Sequence, residues 1–143
     1  MADFKSFMKE NKKRREHVKY AVTKSLCDSN GKPLEWTLKA LDSKQAEKIR
    51  DSAMIDVPIP GKRGQVKKEL DTTKYISKLI CASIVEPNLN NAQLQDSYGV
   101  KTPEDLLFEM VDVAGEYNDL TAFVQELSGL NDDMDELVDE AKN

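Results

Sequence analysis

The chain is poor in the residues that do chemistry near neutral pH: it has one histidine and two cysteines among its 143 residues. With one imidazole and no CxxC pair, a Cys/His zinc site has too few ligands. Cys27 and Cys81 therefore read as free thiols of a reducing compartment. No apolar run approaches the ~20 residues a membrane-spanning helix needs. The opening MADFKSFMKENKKRRE has no apolar core of the kind a signal peptide carries, so the expected location is the cytoplasm. Aromatics are only 6%, and apolar residues are 39% against 33% charged. That balance fits a small, helix-rich protein with much solvated surface.

Partial motifs are also incomplete. Gly61-Lys62-Arg63-Gly64 lacks the spacing of a phosphate-binding loop, and no strand–loop–helix pattern surrounds it. Asp132-Asp133-x-Asp135 lacks the glycine and closing glutamate of a calcium loop. His17 has no Ser/Asp arrangement at a familiar spacing. No catalytic residue, cofactor-binding residue or metal ligand is expected, and the chain does not read as an enzyme.

What is present is charge polarity and amphipathic patterning. The net charge is −5, yet residues 1–24 carry eight Lys/Arg against three Asp/Glu, while residues 101–143 carry two Lys against thirteen Asp/Glu. Such polarity marks each end for electrostatic steering of partners. The run Lys12-Lys13-Arg14-Arg15 raises nucleic acid, but one cationic tetrad beside Glu10 and Glu16 in an acidic chain is a weak signal.

The most apolar segment starts at Asp71. Tyr75, Ile76, Leu79, Ile80, Ile84 and Val85 follow one helix face, widened by Cys81 and Ala82, with Asp71 and Thr72 as caps and Pro87 as the stop. This predicts a central core helix. Before it, Val18/Tyr20/Val22 and Leu34/Trp36/Leu38 alternate with polar residues across an Asn30-Gly31 turn, which predicts an antiparallel hairpin within 17–41 with one apolar face. A helix is expected from Ser43 to Met54, then an extended surface loop through Val57–Gly64. Thr102-Pro103-Glu104-Asp105 starts a further helix, and Gly115 and Gly129 punctuate the residues after it. Phe4, Phe7 and Met8 form a stripe on a short basic helix or arm over 1–16, able to dock on the body. Met134, Leu137, Val138 and Ala141 form another on an acidic amphipathic segment, 131–143, which docks on its own body or on another chain. The expected fold is mainly α: a compact helical domain, 17–130, with helices over 43–130 and a small N-terminal antiparallel β-hairpin.

Taken in order, certain pieces resemble a known family. They are Ser6-Phe7-Met8 with Glu10-Asn11, Val18-Lys19-Tyr20, the hairpin from Asp28 to Trp36, Val57-Pro-Ile-Pro-Gly-Lys62, Pro87-Asn-Leu-Asn90 leading to Leu94–Val100, Gly115-Glu-Tyr117, and Gln125-Glu126. Over roughly residues 4–130 the chain is similar to the XkdN-like tail assembly chaperones of contractile-tailed phages and defective prophages in Bacillus-type bacteria. The Lys12–Arg15 run and the acidic end after Asn131 depart from the family's usual ends.

The resemblance implies a non-enzymatic assembly factor of the bacterial host cytoplasm. It would bind the phage tail tape measure protein, keep it soluble until the tail tube forms, and be absent from the finished particle. The tail tube protein and a second copy of the chain stand as further partners; a membrane does not, and nucleic acid is disfavoured. Such a chaperone needs apolar surface rimmed by charge to cover a helical client reversibly. The candidate partner-binding residues are Leu106, Phe108, Met110, Tyr117, Phe123, Leu127, Met134 and Leu137, with Phe108 set apart because it falls off the Leu106/Met110 face. The competing expectations are a structural tail or baseplate component and a small nucleic-acid-binding regulator.

Overall fold

In the computed structural model, which describes residues 3–130, the chain is organised around the helix α2 (Thr72–Ser83). Asp71 caps it by accepting from the Lys74 N–H, and Tyr75, Ile76, Leu79 and Ile80 are buried along it. Three other helices pack on α2: α1 (Ser43–Ser52), α4 (Pro103–Met110) and α5 (Ala114–Leu127). A short helix, α3 (Ala92–Ser97), connects α2's exit to α4. Asp42 and Gln45 form a reciprocal capping box at the start of α1, and the Arg50 guanidinium sits 5.7 Å above the Tyr75 ring. From α4 come the buried Leu106, Leu107 and Met110, and from α5 the buried Leu120 and Val124.

Strands β1 (Val18–Tyr20) and β2 (Trp36–Leu38) pair antiparallel in the register Val18↔Leu38 and Tyr20↔Trp36, and the Asn-Gly turn lies in the loop between them, closed by a bridge from Cys27 to Pro33. Gly31 takes the left-handed φ of 81° that the turn needs. Beyond that hairpin the expectation of a mainly α chain fails. The core helix ends at Ser83, and Ile84–Glu86 is a strand, β5, that pairs antiparallel with β2 to complete a three-stranded sheet in the order β1-β2-β5. The cause is local. Pro87 disfavours helical backbone at the residue before it, and a lone hairpin leaves an edge of β2 unpaired. Ile84 is buried in the strand, as it would have been on a helix face. With neighbours on both edges, all three residues of β2 are buried instead of alternating.

The flanks of the stretch read as a surface loop, 57–64, are a second correction: Met54, expected in the helix, starts a strand, and residues 59–64 are the tip of a hairpin. Met54–Pro58 (β3) and Val66–Leu70 (β4) form a separate two-stranded antiparallel sheet, and Gly61 and Gly64, both at φ 77°, shape its tip. Two prolines argue against a strand here, but Pro58 sits at the strand's last position, where its missing N–H costs little. With two sheets and five strands among the described residues the protein is α+β.

Polar contacts fix the seams. The Ser83 hydroxyl donates to the Lys39 carbonyl at 2.6 Å, and the Leu41 N–H donates to the Ser128 hydroxyl at 3.0 Å. Residues 4–11 form two 3-10 turns in place of an α-helix, and Phe4 and Phe7 are 78% and 76% exposed. So short a segment, followed by four consecutive cations, cannot sustain a helix alone.

Candidate functional site

The surface that stands out is the corner between α4 and α5. Thr102 caps α4 by accepting from the Asp105 N–H at 3.1 Å, Pro103 occupies its first turn, and Glu104 and Asp105 meet the positive end of its dipole. This start sets the rotation of the helix. Leu106, Leu107 and Met110 point into the core, and Phe108 points out, 44% exposed. Its ring stacks on Tyr117 of α5, with centroids 5.0 Å apart and planes 20° apart. The chain breaks at Val111–Val113 rather than at Gly115, and Val113 is 49% exposed. Tyr117 donates its N–H to the Val113 carbonyl, so Val113 stands one turn before Tyr117. Phe108 with its partner Tyr117, and Val113 one turn before Tyr117, are the apolar groups that this corner exposes in full or in part.

Beneath the patch the structure is braced. Lys78 of α2 and Glu104 of α4 form an ion pair at 3.2 Å, about a quarter exposed. Burial pushes the Cys81 thiol up to about 12, with the Glu104 carboxylate adding to the rise. Burial likewise raises the Tyr117 phenol to about 12. Both groups are neutral at physiological pH, so the charge near the patch is the paired Lys78 and Glu104.

To one side lies an open hollow of about 590 Å³ lined by Tyr20, Val22, Val113, Gly115, Glu116 and Asp119 among others. Glu116 closes one wall: its carboxylate accepts from the buried Thr23 hydroxyl at 2.7 Å and from the Lys24 N–H at 2.9 Å. Those two hydrogen bonds, the Thr23 one foremost, hold its pKa below the usual carboxylate value. Tyr20 stacks on Phe123 at 4.1 Å with planes 7° apart. Burial raises the Tyr20 phenol, and the facing Asp119 and Glu116 carboxylates raise it further. Lys24 lines the hollow together with Glu116 and Asp119, so its charged groups are one cation and two carboxylates beside apolar Val22 and Val113.

Of the candidate partner-binding residues, Leu106 and Met110 belong to the core. Tyr117, Phe123 and Leu127 are half-buried and packed against it, and Phe108 stands in solvent beside Tyr117. Met134 and Leu137 lie outside the described residues. Val113 escaped the sequence reading. Its signal was an apolar residue stranded between two helical repeats, Leu106–Met110 and Tyr117–Leu127. The arm β3–β4 also escaped it, with Ile55 and Val66 exposed. Lys12 and Arg15 line a separate depression of about 370 Å³ with Leu41, Ala46 and Leu130. His17 is exposed, and among the described residues no cluster of His, Cys, Asp or Glu could hold a metal ion. No helix among them is long and apolar enough to cross a membrane.

Comparison with known proteins assigns this architecture. Two Bacillus subtilis (strain 168) proteins align with nearly the whole chain. The phage-like element PBSX protein XkdN is 25% identical over 141 residues, 99% of this chain and 94% of its own length. The uncharacterized protein YqbN is 26% identical over 141 residues, 99% of this chain and 93% of its own. The crystal structure of the protein YqbN superposes with a TM-score of 0.73 at 19% identity, covering 90% of this chain and 98% of that one, and so shares the fold. The phage XkdN-like tail assembly chaperone family matches residues 4–142, and the chain belongs to that family.

Proposed function

We propose that the protein binds the tape measure protein of its phage tail and keeps it soluble in the host cytoplasm until the tail tube polymerises. It performs no catalysis. The reading is supported by membership of a tail assembly chaperone family and carried by one structural observation: Phe108, stacked on Tyr117, and Val113 stand exposed at the corner between α4 and α5, and Val113 lines a hollow that holds the Glu116 and Asp119 carboxylates. A tape measure protein is a long helical chain with apolar seams. An apolar strip flanked by acids covers such a seam and favours seams bordered by Lys and Arg.

Co-expression tests it. The tape measure protein should stay soluble and copurify with the wild-type chain, and should precipitate when the chain carries Phe108→Ser with Val113→Ser. A tape measure protein equally soluble with or without this chain removes the proposal.

A further inference from the structure

The α4–α5 surface has a counterpart on the same molecule. Phe4 and Phe7 are the two most exposed large apolar side chains among the described residues, and Met8 beside them is 43% exposed. They sit among Lys5, Lys9, Lys12, Lys13, Arg14 and Arg15, opposed only by Asp3 and Glu10 over residues 3–15. No residue of either 3-10 turn is buried. The arm is therefore apolar and cationic, and among the described residues its two phenylalanines stand in solvent while only Lys12 and Arg15 line a depression of the body. Phe108 and Val113 are exposed at the other charge pole, among Asp105, Glu109, Asp112, Glu116 and Asp119. Within one molecule the two do not meet. Lys12 and Arg15 lie by Leu41, Ala46 and Leu130, and neither phenylalanine of the arm lines the hollow beside Tyr20 and Val113.

We propose that the N-terminal arm of one copy docks on the α4–α5 surface of a second copy, seating Phe4 and Phe7 against Phe108, Val113 and the hollow, with the arm's lysines facing the hollow's carboxylates. Two features select a second copy as the occupant: the match of apolar groups at both poles, and their opposite charge. The contact is heterologous, so a joined pair keeps one free arm on one copy and one free surface on the other, and assembly proceeds head to tail. It covers the same patch that the tape measure protein would use, so client and second copy compete. This step goes beyond the client-binding reading and is tested on the protein alone.

Sedimentation velocity of the wild-type chain should show a weight-average mass that rises with concentration past that of a dimer, and that falls back as salt is added. Phe4→Ser with Phe7→Ser, which removes no packing within the fold, should leave a monomer. Phe108→Ser with Val113→Ser should do the same. Mixed in equal amounts, the two variants should form a 1:1 heterodimer and nothing larger, because one supplies only an arm and the other only a surface. A charge exchange avoids any folding cost: Lys5→Glu with Lys9→Glu should abolish assembly, and adding Asp112→Lys with Asp119→Lys should restore it. A monomeric wild type at all concentrations overturns the proposal, as does persistence of assembly in the arm variant, or a mixture that stays monomeric. None of these outcomes touches the co-expression result, and loss of tape measure binding would leave the sedimentation result standing.

Discussion

Leu107 and Phe108 are consecutive on α4 and should behave in opposite ways when cut back to alanine. Leu107 is fully buried in the core, so Leu107→Ala loses the transfer of its side chain and leaves a cavity the close-packed core cannot fill. The expected cost is about 2–5 kcal/mol. Against a total stability of about 5–15 kcal/mol that is a large share. Phe108 keeps nearly half its surface in water, and its main internal contact is the stack on Tyr117. Such a pair contributes ~0.5–1.5 kcal/mol, so Phe108→Ala should cost about 1 kcal/mol. Trp36 is the single tryptophan and is 3% exposed, so its fluorescence reports global unfolding. In urea, with a slope of about 1–3 kcal/mol per molar, the midpoint should fall by roughly 1–2 M for Leu107→Ala and by well under 1 M for Phe108→Ala. Equal shifts for the two variants would refute the assignment of Phe108 to a partner surface, because a residue that costs as much as its buried neighbour is part of the core.

Thiol titration of the native protein should show rapid labelling of the exposed Cys27 and slow labelling of Cys81, with Cys81 becoming fast only in denaturant. Cys81 and Tyr117 are both held neutral in the fold, their pKa values raised to about 12 from 9.0 and 10.0. The stability they contribute is complete below those ordinary values and drains away as pH rises toward 12, so the urea midpoint should drop over that window, and less in Tyr117→Phe. Glu116 titrates in the other sense. Its lowered pKa means a contribution present above the usual carboxylate value and lost as pH falls through the folded value, so Glu116→Gln should flatten the acid limb of the stability profile.

The parts of the fold legible in the sequence were those where one local signal had no competitor. Asn30-Gly31 between alternating runs gave the β1–β2 pairing, and Thr102-Pro103-Glu104-Asp105 gave the start of α4. Where two structures satisfied the same pattern, tertiary context decided. Ile84 and Val85 suit a helix face or a strand, and the open edge of β2 took them as β5. Val57-Pro-Ile-Pro and Gln65-Val-Lys-Lys flank two glycines, which is a hairpin pattern, yet the prolines mask it unless their position at the strand end is known. At the candidate site, helical periodicity separated Phe108 from Leu106 and Met110 because a 100° step is fixed by geometry. It could not say that Tyr117 would lie beneath Phe108, since the angle between α4 and α5 is set by packing on α2.

The most direct test follows the chain through tail assembly by quantitative mass spectrometry, comparing complexes isolated before tube formation with finished particles. The chain should be found with the tape measure protein in the first and be missing from the second. A fixed number of copies in finished tails would instead make it a structural subunit, and the sheltering role would have to be abandoned.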